Sequence, residues 1–112
     1  MSGVCLLITN SPASPEGRQA LDLAEGLLSA HDALAICALQ DAVILACQRQ
    51  PRETLNAMER LLARGATLCV LQEDLALRGL TSAELLEPVT FVDYRKIVEL
   101  LADNHAQVIG CL

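Results

Sequence analysis

The chain is poor in aromatic and basic residues. Only Phe91 and Tyr94 among its 112 residues are aromatic, and tryptophan is absent. Proteins that bind single-stranded nucleic acid by base stacking need aromatic platforms, which this chain cannot build. Eight Lys and Arg against fourteen Asp and Glu give a net charge of −6, whereas binding to phosphate backbones or anionic membranes depends on basic clusters. The sequence therefore predicts no direct contact with nucleic acid.

Long hydrophobic runs are also missing, although 53% of the residues are hydrophobic. Even the longest strictly apolar runs are short, such as Ala42–Cys47, whereas a membrane-spanning helix needs about 20 apolar residues. The first residues, Met1–Cys5, carry no basic segment of the kind that opens a secretory signal. We therefore expect a cytoplasmic protein without membrane contact.

A chain of 112 residues predicts a single domain over residues 1–112 with a substantial core.

The cysteines lack the spacing of the usual metal and redox motifs. Five cysteines are present, but no two of them form a C-x-x-C pair. His31 and His105 stand too far from them in sequence to complete a zinc motif. Glycine motifs of the nucleotide-binding type, G-x-x-x-x-G-K-[ST] and G-x-G-x-x-G, are absent as well. We therefore predict neither a metal site nor a cofactor, and cytoplasmic cysteines should remain free thiols.

Short apolar runs alternate with stretches of helical periodicity. Ser14 is a predicted N-cap of the first helix and Gly65 closes a later one. Strands are predicted at Val4–Thr9, Ala33–Leu39, Thr67–Leu71, Val89–Val92 and Gln107–Leu112. This alternation predicts an α/β fold with three α/β/α layers around a mainly parallel sheet of about five strands.

Polar residues follow four of the predicted strands. The carboxyl ends of parallel strands meet at one edge of a sheet, so these residues should lie close together. The carboxylates among them could act as acid–base groups. Each also stands at a predicted helix start, where an acidic side chain caps free N–H groups, and capping is the favoured interpretation. The residues concerned are Asn10, Ser11, Gln40, Asp41, Gln72, Glu73, Asp74, Asp93 and Tyr94.

The cysteines are the remaining candidates for chemistry, because a thiolate is a strong nucleophile when it is exposed and its pKa is lowered. Cys5 and Cys37 lie inside apolar strands and are predicted to be core residues. The candidate catalytic residues are Cys69, close to the end of its strand, Cys111, predicted to be the most accessible thiol, and Cys47, predicted to be half exposed. Inert packing is the commoner role for any single cysteine.

Two segments carry a resemblance to a known family. Residues 71–80 read L-Q-E-D-L-A-L-R-G-L and residues 89–94 read V-T-F-V-D-Y. They resemble the E-D-L-x-x-R-G-L and hydrophobic-D-Y segments of the TusB/DsrH proteins. The Q-D-A-V stretch at Gln40–Val43 is similar to the Q-D-G-V of the same proteins. The longer first helix is similar to that of the DsrE/TusD proteins, so the resemblance covers most of the chain.

The resemblance to the DsrE/DsrF/DsrH superfamily implies a sulfur-relay subunit. Such subunits assemble with copies of themselves or with DsrE- and DsrF-like partners. They pass persulfide sulfur from donor to acceptor proteins, for tRNA 2-thiouridine synthesis or sulfur oxidation. Cys69–Val70 resembles the start of the DsrE segment C-V-x-x-x-L-x-R-G. Alignment on Arg78–Gly79 instead places Leu71 at the cysteine position, so the resemblance transfers the fold better than the catalytic residue.

Three functions therefore remain open from the sequence. The chain could be a sulfurtransferase that carries persulfide, a scaffold subunit of a DsrEFH- or TusBCD-like complex, or a small-ligand-binding α/β domain. Two apolar segments, Ala42–Cys47 and Val108–Leu112, lack a polar face. They are predicted either to pack inside the chain or to lie in subunit interfaces.

Overall fold

The computed structural model describes residues 3–30, 33–102 and 106–111. Within these residues, five strands form one all-parallel sheet in the order β4-β3-β2-β1-β5. The strands are β1 Gly3–Ile8, β2 Ala33–Ala38, β3 Thr67–Leu71, β4 Thr90–Val92 and β5 Ala106–Cys111. This architecture confirms the predicted α/β fold with a parallel sheet.

Helices connect the strands. The α-helices are α1 Pro15–Ala30, α2 Arg52–Ala63, α3 Gln72–Leu77 and α4 Tyr94–Leu101, and two 3₁₀ helices span Gln40–Ala46 and Ser82–Glu84. The Ser14 hydroxyl accepts a hydrogen bond from the Gly17 N–H at 3.0 Å, which confirms the predicted cap of α1. Gly65 follows α2 with a φ of +95°, as expected of a glycine that ends a helix. No helix in the described part of the chain is long and apolar enough to cross a membrane.

Successive strand residues point to opposite faces, so the sheet carries two cores. The larger core packs the sheet against α1, α2 and the 3₁₀ helix Gln40–Ala46. The smaller core lies on the other face, beneath α4. Because β5 returns across the whole sheet to pair with β1, a right-handed crossover requires α4 to lie opposite α1 and α2.

The two segments predicted to lack a polar face have different surroundings. In Ala42–Cys47 all residues except Ile44 are buried, so this segment packs mainly inside the chain. Val108 in β5 is 39% exposed, while Leu112 lies outside the described residues. The eight-residue α4 buries only Ile97, and its Val98 and Leu101 side chains are exposed.

Candidate functional site

Three cysteines lie side by side on the face of the sheet that α4 covers. They come from the three adjacent strands β1, β2 and β3, and we call Cys5, Cys37 and Cys69 the thiol row. Cys37 pairs directly with Cys69 in the sheet register, whereas Cys5 pairs with Ala35, two residues before Cys37. The Sγ atoms of Cys5 and Cys37 are 3.3 Å apart. Cys37 therefore stands between two other thiols.

The thiol row is enclosed by apolar side chains. Cys5, Cys37 and Cys69 are 3%, 1% and 5% exposed, and Leu71, Val92 and Ile97 complete the cluster around them. The sequence predicted core positions for Cys5 and Cys37, and the structure confirms this. Their position next to Cys69 was missed because it depends on strand order and register. The sequence signal that could have indicated this neighbourhood was that each of the three cysteines lies inside a predicted strand.

Hydrogen bonds along the row set the acidity of its thiols. The Cys37 thiol and the charge of Lys96 lower the pKa of Cys69 to about 7, against the opposing effect of burial. Hydrogen bonds to Cys5 and Cys69, together with burial, raise the pKa of Cys37, so Cys37 keeps its proton. The hydrogen bond with Cys37 also lowers the pKa of Cys5, so the Cys37 thiol favours a thiolate on either side of it, and Cys69 has the Lys96 charge in addition.

The reactivity of Cys69 should follow its lowered pKa. We expect its alkylation rate to rise through a midpoint near pH 7, because only the thiolate above the pKa reacts. Cys37→Ala should move that midpoint to higher pH, because the hydrogen-bond donor is lost, whereas Cys37→Ser keeps a donor. The measurement is the rate of iodoacetamide labelling of Cys69 against pH, with peptide mapping. An unchanged midpoint in Cys37→Ala would contradict the role assigned to the Cys37 thiol.

The structure does not bring the other two candidate thiols to Cys69. Cys47 ends the 3₁₀ helix Gln40–Ala46 and forms an isolated β-bridge with Leu85. This packing leaves Cys47 only 6% exposed, so the prediction of a half-exposed thiol is wrong. Burial and the nearby Glu84 raise the pKa of Cys47. Cys111 is the one cysteine that is not buried, as predicted, and it packs against the larger core on the opposite face of the sheet.

The polar residues lie at the carboxyl ends of the strands, as predicted. Most of their contacts link one element of the fold to another. The buried Asp74 carboxylate accepts a hydrogen bond from the Gln40 N–H at 2.7 Å, which ties the start of α3 to the end of β2. Arg78 contacts the Asp41 carboxylate at 2.8 Å. Asp93 caps α4 by accepting from the Lys96 N–H. Capping is therefore confirmed for Asp93 and wrong for Asp41, Glu73 and Asp74. Asp41 and Asp74 bind groups of other elements, and the Glu73 Oε1 atom is buried without a hydrogen-bond partner.

A cleft of about 520 Å³ is lined by Ile44, Cys47, Gln48, Arg49, Leu80, Ala83 and Glu84. It lies beside the 3₁₀ helix Gln40–Ala46 and not at the thiol row. No group of three or more potential ligands is arranged to hold a metal ion within residues 3–30, 33–102 and 106–111.

Comparison with known proteins gives one family match and several structural matches. A family model described as "DsrH like protein" matches residues 13–107. No curated protein matches the chain.

The structural matches share the whole fold at low sequence identity. The protein of unknown function MTH1491 from Methanobacterium thermoautotrophicum is 16% identical, with a TM-score of 0.83 over 98% of this chain and 99% of that one. The ychN protein from E. coli is 17% identical, with a TM-score of 0.82 over 97% and 100% of the two chains. BT1422 from Bacteroides thetaiotaomicron, also of unknown function, is 15% identical, with a TM-score of 0.70 over 95% and 93%.

Proposed function

Because the chain belongs to the DsrH-like family, we propose that it is a cytoplasmic sulfur-relay subunit in which Cys69 accepts sulfane sulfur as a persulfide. The observation that carries this proposal is the pairing of Cys69 with the Cys37 thiol and the Lys96 charge, which together favour a thiolate. Sulfur then passes to an acceptor protein of tRNA 2-thiouridine synthesis or of sulfur oxidation. Free thiols of this kind persist in a reducing compartment.

The transfer is a thiol–persulfide exchange. The Cys69 thiolate attacks the outer sulfur of a donor persulfide, and a new S–S bond forms to Cys69. The donor S–S bond breaks, and the donor leaves as a thiolate that takes a proton from solvent. No external oxidant or reductant is consumed, because the sulfane sulfur keeps its oxidation state. Such exchange proceeds fastest when the attacking thiol has a pKa near the ambient pH, and the pKa of Cys69 is lowered to about 7.

The donor reaches Cys69 when α4 moves. This helix has eight residues and covers the thiol row through Ile97, its one buried residue. Tyr94 and Val98 on the same helix are 56% and 63% exposed. A segment with few buried apolar contacts opens at low free-energy cost relative to global unfolding. Local displacement of α4 thus provides access without loss of the sheet.

A scaffold role is the second candidate, because apolar side chains are exposed around α4. Phe91, Tyr94 and Val98 are each at least 44% exposed, and exposed apolar groups of this size are typical of surfaces that bind other proteins. In this role the chain assembles with copies of itself or with DsrE- and DsrF-like subunits, and none of its thiols carries sulfur. The two candidates differ in a single observable, the uptake of sulfur.

Sulfur uptake should require Cys69 alone among the five cysteines. We expect the folded protein to release about one glutathione per chain from glutathione persulfide, because one thiolate accepts one sulfur. Cys69→Ser should abolish this release, and Cys47→Ser and Cys111→Ser should leave it unchanged. The measurement is the glutathione released, combined with peptide mapping after rapid alkylation.

The outcomes of this uptake experiment separate the candidates. If sulfur were found on Cys47 or Cys111 while Cys69 stayed unmodified, the assignment of Cys69 would be wrong. The modified cysteine would then be the residue that accepts sulfur. A folded protein from which no glutathione is released would exclude the carrier role. The scaffold role would then be tested by whether a variant without cysteines still assembles with its partner subunits.

A further inference from the structure

Cys37 forms no bond to the transferred sulfur in the step just described, yet it is the central member of the thiol row. It is 1% exposed and lies between the other two thiols. It pairs directly with Cys69 on the neighbouring strand, and its sulfur touches that of Cys5 at 3.3 Å. A nucleophile held beside a reactive thiol in an apolar enclosure suggests a second reaction at the same place.

We propose that Cys37 is the resolving thiol for the persulfide formed on Cys69, an inference that rests on the proposed function. The outer sulfur of the Cys69 persulfide, as its anion, takes the proton of the Cys37 thiol. The Cys37 thiolate so formed attacks the inner sulfur, and a Cys37–Cys69 disulfide forms. The S–S bond of the persulfide breaks, and the outer sulfur leaves as HS⁻, which takes a second proton from solvent to give hydrogen sulfide. The sulfane sulfur is thereby reduced to sulfide, while the two cysteine sulfurs are each oxidised by one electron.

The sheet geometry fits a disulfide at this position. Neighbouring strands lie about 4.7–4.9 Å apart, and disulfides join residues whose Cα atoms are about 4.4–6.8 Å apart. Cys37 and Cys69 are direct partners across two such strands. The 3.3 Å contact between the sulfurs of Cys5 and Cys37 shows that thiols on neighbouring strands of this face can meet. We expect the Cys37–Cys69 bond to form when the Cys37 side chain turns from Cys5 towards Cys69.

This reaction would limit the lifetime of the bound sulfur. The apolar enclosure of Leu71, Val92 and Ile97 holds Cys37 next to Cys69 on the neighbouring strand. An acceptor protein must therefore take the outer sulfur before Cys37 displaces it as sulfide. After resolution, a protein dithiol that reaches the site returns the row to its free thiols by disulfide exchange.

A single-turnover experiment with the full chain tests the proposal. The protein is treated with one equivalent of glutathione persulfide, and hydrogen sulfide, glutathione and the sulfur content of each cysteine are followed with time. In the wild type we expect about one sulfide per chain, together with a linked peptide that contains Cys37 and Cys69. In Cys37→Ser we expect the persulfide on Cys69 to survive at least about tenfold longer.

The controls keep the two proposals apart. Cys47→Ser is the matched variant, because it alters a buried cysteine outside the row and should leave the sulfide yield unchanged. Suppose that glutathione is released and the persulfide survives equally long in the wild type and in Cys37→Ser. This result would overturn the resolving role and leave the carrier role intact. No glutathione release from either protein would overturn both. If Cys37→Ser does not fold, the wild-type time course decides, since sulfide without the linked peptide excludes Cys37.

Discussion

Replacing Gly17 with alanine should destabilise the protein by about 3 kcal/mol or more. A Cβ atom at this position would overlap the carbonyl oxygen of Ser11 and come within 2.9 Å of the Pro12 Cα. Both are backbone atoms of the turn that leads from β1 into α1, so no side-chain rotation relieves the overlap. Either the turn or the first turn of α1 must move, and the Ser14 cap is strained with it. Chemical denaturation measures the change.

Gly26→Ala is the matched control for this prediction. Gly26 lies in the same helix, is exposed, and has open space where the Cβ would stand. There alanine should stabilise the protein by about 0.5–1 kcal/mol, because glycine loses more backbone entropy than alanine inside a helix. A loss of stability at Gly17 no larger than the effect at Gly26 would mean that the turn before α1 adapts freely to the added methyl group.

Removal of the Asp74 side chain should cost about 2 kcal/mol of folding free energy. Its carboxylate is buried and accepts the Gln40 N–H at 2.7 Å. Gln40 has a φ of +52°, a backbone conformation that costs energy for a residue other than glycine. Asp74→Ala leaves that N–H without its acceptor and frees Gln40 from the contact that holds it. Urea unfolding of Asp74→Ala, followed by circular dichroism, measures the loss.

Asp41→Ala provides the comparison, because Asp41 contacts Arg78 at a similar distance but in solvent. Its side chain is 66% exposed, and exposed ion pairs contribute at most about 1 kcal/mol. Equal losses for Asp41→Ala and Asp74→Ala would contradict the argument that burial makes Asp74 the more important residue. Asp74→Asn should fall between the two, since its amide oxygen still accepts the Gln40 N–H.

These contacts give a physical reason for the segment that resembled the TusB/DsrH proteins. Within E-D-L-x-x-R-G-L, Asp74 accepts a backbone N–H at the end of β2. Arg78 binds Asp41, which lies in the 3₁₀ helix that follows β2. Gly79 follows with a φ of +67°, which suits glycine. The segment therefore joins the ends of β2 and β3. Its resemblance indicates a shared fold, and the chemistry proposed above belongs to other residues.

The sequence by itself determined the elements and their class. Apolar runs of strand length, separated by helices with a Ser14 cap and a Gly65 end, required a parallel α/β sheet, because these signals act within a few residues of each other. The absence of aromatic and basic clusters likewise follows from composition alone. Local signals of this kind do not depend on which strands become neighbours in the sheet, so the sequence alone is enough to recognise them.

Only the tertiary structure decided which groups meet. Cys5, Cys37 and Cys69 are separated by about thirty residues each, and a change of one residue in strand register would move a cysteine to the other face. Cys47 is buried because its segment pairs with Leu85, far away in sequence. Asp74 binds Gln40 instead of capping its own helix for the same reason. Strand order and register arise from packing over the whole chain, so the thiol row became visible only in the folded protein.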